Sequence, residues 1–473
     1  MQRFLTFIFI ISVAITVFAQ YDDDDNRPRK SYPGGKCYMM RFQLADKGSN
    51  QCSLDKPEEY LSAKAIARRQ RQGLRIDSTD LPISDVYLQQ LLVKGTSIVS
   101  KSKWNNSVVV LSKSLRDLKT LAHLPFVKDS RLVWRSPDSI SSGPVRVSMR
   151  PSFSGWEDEA DTKYGVTYDQ IHMLHGEALL DGTSLGQGMT IAVLDGGFMN
   201  VDAIEAFKRV NICGTADMVY PPSKDIYKEV DHGTKVLSTM AIAQSSRFMG
   251  TAPMASYWLI RCEDHDTEQL VEEDYWAAAA EFADSVGVDI ITSSLGYNVF
   301  DHQDMNHRYI DLDGHRSICS HAASMLAGKG IILVVSAGND GMGSWKKIEV
   351  PADAEHIITV GAETPEGLNA PFSSIGPTAD GRIKPDVLAL GSPATVVSGR
   401  GTIMKDTGTS FSTPQVAGLV ACLWQTVPTA TALDVIDAVI KSADNLYPDN
   451  IYGYGTPDFS KAVKLLKKIR NKE

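Results

Sequence analysis

The sequence has no apolar run long enough to cross a bilayer comfortably: its longest, residues 4–18, falls short of the roughly 20 residues that a spanning helix needs. It has no Cys-x-x-Cys pair either. The six cysteines, Cys37, Cys52, Cys213, Cys262, Cys319 and Cys422, are scattered, which excludes a zinc site of the usual ligand spacing and leaves disulfide pairing open. No Gly-x-Gly-x-x-Gly follows a strand-like segment, so the dinucleotide-binding fingerprint is missing. Positive charge is in deficit, with 48 Lys and Arg against 57 Asp and Glu, and that balance argues against a nucleic-acid partner.

What is present is ordinary for a folded protein: 43% hydrophobic and 22% charged residues exclude disorder of the whole, and 473 residues suffice for two or three domains. Residues 1–19 read as a signal peptide. Arg3 opens it, the apolar run follows, and Val17-Phe18-Ala19 closes it as a small-residue cleavage site. The mature chain is expected to begin near Gln20 in a secreted or periplasmic setting. No cysteine follows the cut to carry lipid, so no membrane anchor is expected after signal removal. Arg3 leaves with the signal, so 47 basic residues then face 57 acidic ones and the net charge of −9 becomes −10.

Residues 20–135 alternate short strands and helices. Strands are predicted at 38–44, 97–104, 107–112 and 126–134, and helices at 57–72, 85–92 and 115–124. With one early helix peripheral this is a βαββαβ unit, a small α+β domain. The basic run Arg68, Arg69, Arg71 reads as a solvated helix face. Residues 136–165 begin with a Ser-, Pro- and Gly-rich stretch without apolar period, which reads as an exposed linker. From 166 to 473 strands at 189–194, 256–261, 288–293, 331–336 and 356–360 alternate with helices at 233–243, 268–286, 317–328 and 410–426. The strands are apolar and rich in β-branched residues, as those of a mostly parallel α/β sheet covered on both faces should be. Such a sheet places ligands beyond the carboxyl ends of its strands.

Polar residues at those ends carry the chemistry. Asp195 closes the strand Thr190-Ile191-Ala192-Val193-Leu194 ahead of Gly196-Gly197, and His232 opens a helix within Asp231-His232-Gly233-Thr234. Ser410 stands at the head of the apolar helix in Gly408-Thr409-Ser410-Phe411-Ser412-Thr413-Pro414, with Pro414 placed by this reading in the first turn. A hydroxyl there sits beside unpaired N–H groups and the positive end of the helix dipole. Asn339 follows Ser336-Ala337-Gly338 just past a strand and is placed to donate an amide to an oxyanion. Singly these are a strand-end cap, a helix-start histidine, an N-cap and a turn residue. Together they supply an orienting carboxylate, a general base, a nucleophile and an oxyanion donor.

In that chain order, with Val-Leu-Asp-Gly-Gly, Asp-His-Gly-Thr, Ser-Ala-Gly-Asn and Gly-Thr-Ser-Phe-Ser-Thr-Pro, the sequence resembles the subtilisin-like serine proteases. The resemblance runs from about residue 168 to 462. It implies a subtilisin-like three-layer domain and peptide-bond hydrolysis, with Asp195 orienting His232, His232 as base, Ser410 as nucleophile and Asn339 as oxyanion donor. Ser293-Ser294-Leu295-Gly296 resembles the family's substrate-pairing edge strand, and Ser336-Ala337-Gly338 is expected to bind substrate as well. Tyr297 and Asn298 depart from the small residues usual there. The N-terminal βαββαβ unit is similar to the propeptides of such proteases.

The partners implied are protein or peptide substrates and the chain's own propeptide as an intramolecular inhibitor. No cofactor is expected; a structural calcium has no legible ligand set, and residues 301–315, rich in Asp and His, read as a solvated loop. A pseudoenzyme that keeps the fold as a binding scaffold differs from the active protease in one observable, the reactivity of Ser410.

Overall fold

The computed structural model describes residues 29–30, 36–137, 140–141, 154–156 and 160–470, so the segment read as a signal peptide and most of that read as a linker lie outside the described residues. In the N-terminal part, β1 (Tyr38–Leu44), α1 (Ala63–Arg71), α2 (Asp85–Leu91), β2 (Thr96–Ser102), β3 (Ser107–Ser112), α3 (Leu115–Leu121) and β4 (Val127–Arg135) form an antiparallel sheet in the order β2-β3-β1-β4. The helix predicted over 57–72 is broken. Residues Pro57–Glu59 form one 3-10 turn, and Ser62 restarts the chain as a cap that accepts from the Ala65 N–H at 3.2 Å.

The C-terminal part is built on β5 (Thr190–Asp195), β6 (Asn211–Asp217), α4 (His232–Ala241), β7 (Ser256–Arg261), α5 (Glu272–Val286), β8 (Ile290–Ser293), α6 (Ile318–Met325), β9 (Ile332–Ser336), β10 (Ile358–Glu363), β11 (Val387–Leu390) and α7 (Thr409–Thr426). Among the described residues the seven strands are all parallel, in the order β11-β10-β9-β8-β5-β7-β6. The sheet is the middle layer of three. One face carries α4 and α7 over a core that includes Ile191, Val193, Val334 and Val416, and the other carries α5 and α6 over Ala192, Leu194, Ile291 and Leu333. Period-two alternation thus sends successive β5 side chains into two different cores, and all six of its residues are buried. This is the subtilisin-like α/β fold expected. Strands β6 and β11 went unread in the sequence. The first exposes alternate residues and the second is four residues long, so neither makes a distinct apolar run.

The N-terminal sheet is docked on α5, and Cys37, Met39, Val109, Val133 and Trp134 share one apolar core with that helix. Arg41 forks onto Asp274 through two hydrogen bonds of 2.7 and 2.6 Å. Glu281 accepts from the Ser102 hydroxyl and from the N–H groups of Lys103 and Trp104.

Arg68 and Arg69 correct the sequence reading, because each is only 1% exposed. Arg68 pairs with Asp284 and donates to the Val288 and Lys329 carbonyls, and Arg69 bridges Asp80 at 2.7 Å and Asp284 at 2.9 Å. Their helix lies across the amino ends of β8 and β9, the sheet edge opposite the functional end, and of the three arginines only Arg71 keeps substantial exposure. A helix that docks on a second domain buries charge where its partners supply carboxylates, and Asp284, which takes both arginines, lies more than 200 residues away.

Residues 301–315 are also less solvated than expected. Met305 and Leu312 are buried, and His307 Nε2 lies 2.5 Å from Glu273, whose other oxygen accepts from the Ile318 N–H. Among the described residues no cluster of His, Cys, Asp and Glu is arranged as a metal site, and no helix is long and apolar enough to cross a membrane. All six cysteines are free thiols.

Candidate active site

Asp195 ends β5, an interior strand of the sheet, and is fully buried. Both its carboxylate oxygens lie 3.0 Å from Nδ1 of His232, the first residue of α4. Gly233 makes this approach possible: a Cβ there would meet the Gly197 carbonyl at 2.4 Å and the Asp195 Cβ at 2.9 Å. Burial alone would lower the basicity of the ring. The Asp195 carboxylate, its hydrogen bond and the charge of Glu263 outweigh it, and the His232 pKa stands at about 9.

Ser410 is the second residue of α7, which begins at Thr409 rather than Ser410. Pro414 is therefore the sixth residue and lies in the second turn, where a proline deprives the carbonyl four residues back of its donor. That carbonyl belongs to Ser410. The Ser294 hydroxyl takes the vacant place, donating to the Ser410 oxygen at 2.8 Å. The Ser410 hydroxyl in turn donates to the Ser294 carbonyl at 3.4 Å, and no hydrogen bond joins it to His232 in the free site. Such contacts commonly tighten only once substrate is bound. The Asn339 side-chain oxygen accepts from the Thr409 N–H at 2.9 Å and the Thr409 hydroxyl at 3.0 Å, which leaves its NH2 as the group available to a ligand.

Asp195, His232, Ser410 and Asn339 line one cleft together with Ser294, Leu295, Gly296, Ser336 and Gly338. Two of the predicted binding residues are not in it. The Ser293 hydroxyl is turned away to accept from Trp276 Nε1 at 2.9 Å, and Ala337 is fully buried in the core. Tyr297, whose size was at odds with the cleft, is buried against Phe300 and does not line it. Two acidic lining residues had no signal in the sequence, Glu263 and Glu349. Burial raises each to a pKa of about 7, reinforced at Glu263 by Asp195 and at Glu349 by Asp340.

With this geometry in place, comparison with known proteins gives the class. The profile of the subtilase family matches residues 186–455, and that of the peptidase S8 propeptide domain of Bacteroidota matches residues 38–144. The chain belongs to the subtilase family and is a serine endopeptidase that acts on protein substrates, preceded by a propeptide domain. It is 29% identical to the serine protease AprX of Bacillus subtilis (strain 168) over 322 residues, 61% of this chain and 69% of that one. It is 28% identical to subtilisin NAT of Bacillus subtilis subsp. natto over 294 residues, 62% and 68% of the two chains. It is 24% identical to an alkaline protease of Shouchella clausii over 377 residues, 78% and 88%.

Proposed function

We propose that Asp195, His232 and Ser410 act as a catalytic triad and that hydrolysis runs through an acyl-enzyme on Ser410. The observation that carries this is the contact of His232 Nδ1 with both Asp195 oxygens, in the same cleft as Ser410. The carboxylate fixes the tautomer in which Nε2 is unprotonated and accepts the Ser410 proton as Oγ attacks the scissile carbonyl. The oxyanion that forms takes the Asn339 amide. His232 then gives its proton to the leaving amine, and water repeats the sequence to release the acid and restore Ser410. A fluorophosphonate probe should label Ser410 in the wild type and nothing in Ser410→Ala. Turnover should vanish in that variant while the fold remains, and adding His232→Ala should cost little more, since members of a triad act as a unit. Additive losses would refute the assignment.

The propeptide domain, residues 20–135 by the sequence reading, we infer to be the intramolecular inhibitor and folding template of an exported precursor. The carbonyl of Arg135, last residue of β4, accepts from the Gln269 amide at 2.9 Å, and the Arg135 N–H donates to Gln269 at 2.8 Å. The chain thus leaves β4 anchored beside the amino end of α5. A parallel sheet with distant partners forms slowly, and a domain docked on α5 lowers that barrier. The enzyme recovered from its native secretion route should begin within residues 135–163, and Ser410→Ala should keep the uncut form. Active enzyme beginning near Gln20 would overturn this reading.

A further inference from the structure

The cleft is lined by a carboxyl group, that of Glu349, which the hydrolysis itself does not use. Glu349 is held by its backbone to both walls: its N–H donates to the Ala337 carbonyl at 3.2 Å, and the next residue, Val350, exchanges hydrogen bonds with Tyr297 at 2.9 and 3.2 Å. Its carboxyl group lies between two glycines. A Cβ on Gly296 would meet Glu349 Oε2 at 2.5 Å, and one on Gly338, where φ is +105°, would meet Cδ at 2.6 Å. Any side chain at either position would fill the space the carboxylate occupies. Among the described residues no basic side chain is paired with it. The groups that act on it are Asp340 and the N–H of Asn339, and burial holds its pKa near 7. Asp274 and Asp284, which are fully buried, each have an arginine, and the buried Glu363 has the Thr456 hydroxyl, whereas Glu349 faces the cleft.

We propose that Glu349 is the floor of the first specificity pocket and selects substrates with lysine or arginine on the acyl side of the cleaved bond. The proposal rests on the protease reading above. A substrate whose carbonyl carbon is within reach of Ser410 Oγ and the Asn339 amide lies along Ser294–Gly296 as an extended strand. Successive side chains of a strand alternate in direction, so the residue bearing that carbonyl turns its side chain into the gap between Gly296 and Gly338. Lysine and arginine bring a cation that pairs with the carboxylate held between the glycines, on a long apolar stem that packs along the cleft leading to it. A glutamate there would set two negative charges together, and a leucine would leave the carboxylate desolvated and unpaired.

The test uses enzyme produced from the full chain and fluorogenic peptides that differ only at the acyl-side residue, Arg, Lys, Leu, Phe or Glu. The wild type should have a kcat/KM for Arg and Lys on the order of a hundredfold above Leu, with Glu poorest. In Glu349→Gln the Arg-to-Leu ratio should fall about tenfold or more. Both values come from one preparation, so lost or misfolded enzyme cancels in the ratio. An enzyme that labels with fluorophosphonate at Ser410 but prefers Leu or Phe overturns the proposal alone, as does an unchanged ratio in Glu349→Gln. Wild type that fails to label overturns the protease reading of the site and this proposal with it.

Discussion

Ser294 and Ser410 are joined through each other's carbonyls: Ser294 Oγ donates to the Ser410 oxygen at 2.8 Å, and Ser410 Oγ to the Ser294 oxygen at 3.4 Å. The first of these exists because Pro414 has no N–H to offer the same carbonyl. The defect in α7 is thus what ties the helix head to the segment after β8, and the two sides of the cleft are held in register by it.

That tie can be measured by unfolding. Ser294→Ala should cost about 1–3 kcal/mol by leaving the buried Ser410 carbonyl without a donor. Adding Pro414→Ala restores a helix N–H to that carbonyl and should recover part of the loss. A double variant no more stable than Ser294→Ala would show that Pro414 does not create the vacancy.

Asn339→Leu should lower kcat on the order of a hundredfold with little change in KM, the usual cost of removing one oxyanion donor. Steady-state kinetics on a single peptide decides this, and an unchanged kcat removes Asn339 from the mechanism.

The pH profile follows from His232. A general base must be neutral, so activity grows as pH rises through the pKa of the ring, which Asp195 and Glu263 hold up at about 9 against the effect of burial. The rate should therefore climb well into the alkaline range. Glu263→Gln removes one of the negative charges that favour imidazolium, so the ascending limb of kcat/KM should move to lower pH. No movement, or an upward one, would mean that Glu263 does not act on the base.

Docking of the propeptide domain should depend on its buried ion pairs. In a Ser410→Ala precursor, Arg68→Met should lower stability on the order of 3 kcal/mol, because Asp284 loses one of its partners in a site closed to water. The pKa of Asp284 is depressed: burial would raise it, but Arg68 and Arg69 prevail. Its contribution is present above the pKa of an unfolded aspartate and is lost as pH falls through the lower folded value. Thermal unfolding of the precursor at pH 7 and below pH 4 should show the variant's deficit shrinking in acid.

The sequence by itself determined the fold class, because apolar segments alternating with helical periods admit few arrangements other than a covered parallel sheet. It also singled out Asp195, His232, Asn339 and Ser410, which the fold brings to one cleft. Each sits at the end of a regular element beside glycines that close packing demands, so local chemistry leaves a local trace. Only the tertiary structure decided the rest. Arg68 and Arg69 belong to a docked face instead of a solvated one because carboxylates distant in sequence, Asp284 above all, arrive beside them. Pro414 is tolerated in the second turn because Ser294, in the segment after β8, serves the freed carbonyl. Glu349 stands in the cleft because the Val350–Tyr297 pairing brings it there and two glycines leave it room. A charge acquires its environment from residues far away in the chain, and that environment is fixed only when the chain is folded.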